Sequence, residues 1–264
     1  MDYEQLTAHI KLKKSALVAF SGGVDSSLLL AAAYDALGDE VLAVTVDSVL
    51  HSLDELEQAK AIASGLGARH KVVTLDELSL PGFVENPVDR CYLCKHDRFA
   101  RLVAIAKDEG LKHVLEGSNF DDLGDYRPGM QAVKELEIES PFVELGIAKE
   151  VIRKLARARG LASWSKPSAS CLAARIPYGQ EITKERLERI GQAEQFLHSL
   201  GFVQVRARDH GTIVRIEVAL EDIERLAAGD MRSRVVERLK ELGYSFVALD
   251  LGGYRSGSLN DGLT

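Results

Sequence analysis

The stretch Ala16-Leu17-Val18-Ala19-Phe20-Ser21-Gly22-Gly23-Val24-Asp25-Ser26-Ser27 decides the fold. Five apolar residues make a short buried strand, two glycines break it, and the run from Ser26 to Leu37 resumes with helical composition. A strand that enters a glycine turn and leaves it as a helix aims unpaired backbone N–H groups and the positive end of a helix dipole at one point, which makes an anion site. Gly22 and Gly23 allow torsions and close approach denied to other residues, with the main chain of Val24 continuing the turn. Ser21, Ser26 and Ser27 add hydroxyl donors, and Asp25 can hold a magnesium ion against phosphate oxygens. No lysine follows the glycines as in GxxxxGK[ST], and the spacing is not GxGxxG, so phosphoryl transfer and nicotinamide binding lose support. A glycine turn with a serine helix cap is the plain alternative.

Outward from this loop, short β-rich runs alternate with amphipathic stretches. Val41 to Val46 reads as a second strand, Leu53 to Leu66 as a helix, His70 to Leu75 as a third strand, Arg98 to Glu109 as a helix and His113 to Gly117 as a fourth strand. Asp76 to Cys94 reads as loop, punctuated by Pro81, Gly82, Asn86 and Pro87. The alternation predicts an α/β fold, a Rossmann-type parallel sheet with helices on both faces. After a second loop from Ser163 to Gly179 the order changes to a helix (Thr183 to Ser199), two strands (Phe202 to Arg208, Thr212 to Ala219), a helical stretch (Glu221 to Leu242) and a last strand (Ser245 to Leu251). The expected organisation is one domain over residues 1–165 and a small C-terminal α+β domain over 166–264.

Of 264 residues, 46% are hydrophobic and 28% charged, ordinary globular usage with room for a packed core. A formal net charge of -7 disfavours broad electrostatic binding of nucleic acid. No apolar run approaches the roughly 20 residues needed to span a bilayer, and the N-terminus lacks the basic and apolar regions of a secretory signal. A cytoplasmic protein without a membrane partner is expected, and we expect a homo-oligomer.

The glycine block resembles the PP-loop of the HUP-like ATP pyrophosphatase superfamily, whose members adenylate a substrate and release pyrophosphate. The resemblance implies ATP, with adenine near the end of the second strand at Asp47 and Ser48. The rule that open α/β sheets bind ligands at the carboxyl ends of their strands agrees, although a turn pair explains those residues equally. The fourth strand runs into Gly117, Asp121 and Asp122, then Asp125-Tyr126-Arg127. Acidic residues crowded at the edge that carries a phosphate loop need a cation, so Asp121 and Asp122 join Asp25 as candidates for Mg2+. Gly117 is grouped with the nucleotide site, and Arg127 can neutralise a phosphate or carboxylate. A solvated acidic loop is the bland alternative.

Three cysteines, Cys91, Cys94 and Cys171, are an odd number, and in a reducing compartment they read as chemical or metal-binding. Cys91-Tyr92-Leu93-Cys94 alone is ambiguous among zinc, iron–sulfur, redox and coincidence. One chain cannot build a four-cysteine zinc site from them, although His96 or another donor can complete a zinc site. Three cysteines leave one position of a cluster open for an exogenous ligand such as sulfide. Cys171 lies among small residues, four positions before Arg175, whose guanidinium would favour the nucleophilic thiolate; a buried structural cysteine is the alternative. Arg206 and Arg208, two apart in an expected strand, project from one face and can pair on a phosphate or simply form a polar strand face. Glu217 reads equally as a site residue or an exposed strand glutamate.

With the PP-loop, these blocks resemble the LarE family, ATP-dependent sulfur transferases of nickel-pincer nucleotide biosynthesis, over nearly the whole chain. Besides Ser21 to Ser27, the likeness is carried by Asn86 to Lys95, Glu116 to Asp122, Asp125 to Gly129, Pro167 to Gly179, Val205 to Gly211 and Leu249 to Gly257. It implies a small nucleotide substrate, pyridinium-3,5-biscarboxylic acid mononucleotide. This would be adenylated and thiolated to the bisthiocarboxylic form, a precursor of the nickel-pincer cofactor of lactate racemase. It also implies Arg206 and Arg208 as substrate-phosphate ligands with Arg175 close by, Cys171 as the sulfur-transferring residue, and Glu217 as a metal- or substrate-site residue. A branch of that family with three cysteines carries a [4Fe-4S] cluster, here on Cys91, Cys94 and Cys171, that takes sulfide from a donor. In another branch the equivalent of Cys171 gives up its own sulfur and becomes dehydroalanine. Other readings are a tRNA-thiolating enzyme, which the acidic charge disfavours, a glutamine-dependent amidating synthetase, which leaves the cysteines unexplained, and a non-catalytic ATP-binding protein.

Overall fold

The computed structural model describes residues 2–51, 53–124, 128–166 and 170–255. The chain forms two compact units, one of Met1–Ser48, Leu53–Leu80 and Asp89–Ala169, the other of Val49–Ser52, Pro81–Val88 and Ser170–Thr264.

The first unit carries helix α1 (Tyr3–Lys11), strand β1 (Ala16–Ala19), α2 (Val24–Leu37), β2 (Val41–Asp47), α3 (Leu53–Leu66), β3 (Arg69–Thr74), α4 (Arg90–Asp108), β4 (His113–Leu115), α5 (Gly129–Glu135), α6 (Pro141–Glu144) and α7 (Lys149–Ala158). Its four strands are all parallel, in the order β3-β2-β1-β4. Side-chain alternation along β1 and β2 explains why helices cover both faces. Ala16, Val18, Val41 and Ala43 pack with Leu6, Ile10, Leu28 and Ile152 from α1, α2 and α7. Leu17, Leu42 and Val44 point the other way, onto Phe99, Leu102 and Ala106 of α4 and Val133 of α5. The expected doubly covered parallel sheet is therefore what forms. The strand order reverses at β1, with β2 on one side and β4 on the other, so a ligand crevice is expected at the carboxyl ends of β1 and β4.

Two expectations change. The loop expected up to Cys94 ends earlier, because α4 starts at Arg90, whose side chain is buried, so both CxxC cysteines are helical. The chain between Gly129 and Ala158 holds three helices that the alternation did not single out.

The second unit contains α8 (Lys184–Ser199), the hairpin β5 (Val205–His210) and β6 (Ile213–Val218), α9 (Ile223–Ala227), α10 (Gly229–Glu241) and β7 (Phe246–Leu249). β5 and β6 pair antiparallel and β7 joins β6 in parallel. One sheet face, with Val205, Ala207, Val214, Ile216 and Val218, packs on Leu197, Leu226, Val235 and Leu239 of the helices. The helical stretch expected over Glu221 to Leu242 is broken at Ala228, which is extended. Among the described residues no helix is long and apolar enough to cross a membrane.

Candidate functional site

In the first unit the glycine loop forms as its composition requires. Gly22 has φ +72°, and a Cβ there would lie 3.1 Å from the Ala59 Cα of α3. The serines tie the loop to itself: Ser21 Oγ lies 3.0 Å from Ser26 Oγ, and the Ser21 N–H donates to Ser26 Oγ at 3.2 Å. Gly23, the N-cap of α2, makes no side-chain cap hydrogen bond, so no cap side chain occupies the N–H groups of the first turn. Gly117 follows β4 and closes on the same turn, where a Cβ would lie 3.1 Å from the Ser26 N and 3.2 Å from the Asp25 Cβ. Sequence positions some ninety residues apart thus meet at one switch point. Ser27 is fully buried, and its Oγ has no hydrogen-bond partner among the described residues.

Asp25 is ion-paired through Oδ2 with Lys149, the first residue of α7, while its Oδ1 is buried and has no hydrogen-bond partner among the described residues. Burial raises its pKa above the ordinary carboxylate value, with Lys149 opposing and Asp122 adding to the rise. Asp121 Oδ2 accepts the Lys149 backbone N–H at 2.9 Å, and Asp122 Oδ2 accepts the Asn119 N–H at 2.9 Å. The Lys166 ammonium lies 3.4 Å from the Gly22 carbonyl oxygen. Neither lysine was singled out from sequence. Lys149 did leave a signal, since a lysine at a helix's first position faces an unfavourable dipole and asks for a compensating anion.

At the end of β2, Ser48 is buried and donates to Glu77 Oε2 at 2.6 Å, and Arg98 of α4 donates to Glu77 Oε1 at 2.9 Å. Ser48 therefore braces the sheet edge with its hydroxyl, whereas Asp47 stays half-buried beside it. Cys91 and Cys94 stand three apart near the start of α4 and so share one helical face; Cys91 is exposed and Cys94 half-buried. Lys95, beside them, reaches within 4.0 Å of Glu116 at the end of β4, and a Cβ at Gly129 would lie 3.3 Å from the Cys91 carbonyl oxygen. The CxxC turn is thus held against the region that follows β4. Arg127 lies outside the described residues.

In the second unit Cys171 opens a short 3-10 turn, Leu172–Arg175. Arg175 holds that turn: Nη1 donates to the carbonyl oxygens of Ser170 (3.0 Å) and Cys171 (3.1 Å), while Nε and Nη2 grip Glu194 of α8 at 2.8 and 2.9 Å. The side chain of the buried Asn86, in the same unit, donates to the carbonyl oxygens of Ile176 (3.2 Å) and Pro177 (2.8 Å). Arg175 thus fixes the backbone beside the thiol. Sequence reasoning missed Glu194, though its spacing from Leu187, Ile190 and Leu197 placed it on the buried face of α8.

Arg206 and Arg208 do share one face of β5, opposite Ala207, but both are 6% exposed. Arg208 makes a bidentate pair with Glu217 (3.0 and 2.9 Å) and donates to the Ala174 carbonyl at 2.6 Å. Glu217 is 0% exposed, which overturns the exposed-glutamate reading: it sits across the ladder from Arg206 and takes both Arg208 and Arg215. Arg206 stacks 5.1 Å from the centroid of the Tyr254 ring. Its pKa is pushed down by burial and by the nearby Arg175, with Glu194 opposing.

A parallel sheet whose glycine loop lies at the β1/β4 switch point, together with a separate small sheet, is the PP-loop α/β fold. The model of the family described as queuosine biosynthesis protein QueC matches residues 15–83. The chain is 40% identical over 98% of its length, and 94% of the relative's, to the pyridinium-3,5-bisthiocarboxylic acid mononucleotide synthase of Lactiplantibacillus plantarum. The chain therefore belongs to the family of that synthase, LarE. It is also 43% identical to an uncharacterised protein of Synechocystis sp., covering 94% of this chain and 93% of that one. The glutamine-hydrolysing GMP synthase of Aeropyrum pernix is 26% identical over 68% of the chain and 38% of its own length.

Proposed function

We propose that this protein is an ATP-dependent sulfur transferase that converts pyridinium-3,5-biscarboxylic acid mononucleotide to its bisthiocarboxylic form. That product would feed the nickel-pincer cofactor of lactate racemase. The observation that carries the reading is the PP-loop geometry in a chain 40% identical over 98% of its length to a synthase named for that product.

In this mechanism the first-turn amides of α2 and the hydroxyls of Ser21 and Ser26 hold the β- and γ-phosphates, and Asp47 borders the adenine. A substrate carboxylate oxygen attacks the α-phosphorus, pyrophosphate leaves, and the acyl-adenylate that forms is attacked by sulfur with loss of AMP. Arg206, beside Arg208 and Arg175, binds the substrate phosphate. Arg127 is kept as a further phosphate or carboxylate ligand. The buried Oδ1 of Asp25, which has no hydrogen-bond partner among the described residues, fits a hard cation, so Mg2+ would bind there, with Asp121 and Asp122 at hand, and neutralise phosphate charge.

A [4Fe-4S] cluster would be held by Cys91, Cys94 and Cys171 and supply bound sulfide. Cys91 and Cys94 suit two thiolate ligands of one centre, but among the described residues no three His, Cys, Asp or Glu side chains group as a metal site. In the rival course the Cys171 thiolate forms a thioester with the acyl group, the Cα proton is removed and the Cβ–S bond breaks, releasing thiocarboxylate and leaving dehydroalanine.

The test is anaerobic purification with iron and sulfide analysis, then turnover with ATP, Mg2+ and the biscarboxylate nucleotide. AMP, pyrophosphate and thiocarboxylate are expected. No AMP formation overturns the proposal, and an enzyme lighter by the mass of hydrogen sulfide after turnover selects sacrifice of Cys171 over the cluster.

A further inference from the structure

The glycine loop has no lysine of its own, yet two lysines distant in sequence converge on it. Lys149 pairs with the Asp25 carboxylate, and its backbone N–H is fixed by Asp121 at 2.9 Å. Lys166 brings its ammonium to 3.4 Å from the Gly22 carbonyl oxygen. Neither contact is a satisfying resting place. Asp25 keeps one buried oxygen without a hydrogen-bond partner among the described residues, so Lys149 does not saturate it. As the first residue of α7, Lys149 also opposes the helix dipole, which favours an anion there. Lys166 is half-buried, and burial lowers its pKa with Glu55 opposing.

We propose that Lys149 and Lys166 are the cationic ligands of the pyrophosphate leaving group, with Lys149 waiting on Asp25 until a phosphate chain arrives. This inference rests on the nucleotide-binding reading of the loop. When a triphosphate enters, Lys149 exchanges the Asp25 carboxylate for phosphate oxygens, and Asp25 becomes available to a cation. Lys166 engages the same phosphate chain from its place at the Gly22 carbonyl oxygen. The two ammonium groups then stabilise the charge that builds on the departing pyrophosphate, the role a lysine within the loop plays in GxxxxGK[ST] sequences.

The test is calorimetric titration of the full chain with inorganic pyrophosphate, MgATP and AMP. In Lys149→Gln and Lys166→Gln, pyrophosphate and MgATP should each bind about tenfold more weakly or worse, the loss of a charge-assisted hydrogen bond. AMP affinity should stay within about twofold, and Lys149→Arg should retain most pyrophosphate affinity because it keeps the charge. Lys60→Gln, an exposed lysine paired with Glu57, should change nothing. Unchanged pyrophosphate affinity in both glutamine variants overturns the inference, as does an equal loss for AMP, which would mark a general collapse of the site. If Lys149→Gln does not fold, Lys149→Met and Lys166→Gln decide by the same criteria. Wild-type protein that binds pyrophosphate but forms no AMP would sink the proposed reaction and leave the lysine assignment standing. Wild-type protein that binds no pyrophosphate sinks the lysine assignment.

Discussion

Three glycine-to-alanine substitutions separate the reasons why the loop is built as it is. Gly22→Ala meets two obstacles: φ is +72°, and the new Cβ would sit 3.1 Å from the Ala59 Cα, a backbone atom that cannot swing aside. The torsion alone costs about 1–2 kcal/mol, and relief requires the loop to move away from α3. Gly117→Ala carries no left-handed torsion but presses on the Ser26 N at 3.1 Å and the Asp25 Cβ at 3.2 Å, displacing the first turn of α2. Gly65→Ala, on the exposed side of α3 with nothing within 4 Å, should instead stabilise by about 0.5 kcal/mol. The assays are urea denaturation and ATP-dependent pyrophosphate release. Gly22→Ala and Gly117→Ala should remain folded yet lose about a hundredfold in release, because a shift of about 1 Å spoils the geometry of the reacting phosphate. Release within about threefold of wild type in both loop variants would refute the view that these close approaches place the phosphate-binding amides.

Glu217→Ala should cost about 3–5 kcal/mol in urea denaturation, because it strips both carboxylate contacts from the buried Arg208 guanidinium; a loss below about 1 kcal/mol would contradict that account. Asp209 is 0% exposed and gathers Arg186, Arg189, Tyr244 and the Gly211 N–H. Burial opposes its ionisation, but the Gly211 N–H and the Arg189 and Arg186 guanidiniums hold its carboxyl below the usual value of 3.8. Since the folded pKa is the lower one, this stabilisation is present above about pH 4 and lost as pH falls through the folded value. Asp209→Asn should therefore unfold more easily at pH 7 and show a flatter fall in stability between pH 5 and about pH 2; parallel wild-type and variant curves would count against it.

Much of this was legible from residue order alone. The strand–glycine–helix junction at Ala16 to Leu37 is local, because torsional freedom, capping and apolar runs act within a dozen residues, and it formed where expected. The alternation of Leu17 with Val18 between two cores likewise follows from the period of a strand. The CxxC helix start was missed because Asn86, Pro87 and Asp89 dominate the local signal there, whereas burial of Arg90 and packing of Phe99 and Leu102 on the sheet decide it.

By itself, the sequence determined the parallel sheet, the glycine turn between β1 and α2 and the kinds of side chain available for the chemistry, since those depend on local torsions, hydrophobic period and composition. Only the tertiary structure decided which charges meet. Lys149 answers Asp25 across more than a hundred residues, Glu194 answers Arg175, and Glu217 proved to be the buried partner of Arg208. Such pairings are set by which helix the sheet and its core bring alongside. For Arg175 with Glu194 and Arg208 with Glu217, burial then makes the pairing obligatory, because a charge taken out of water must find its counter-charge within a few ångströms.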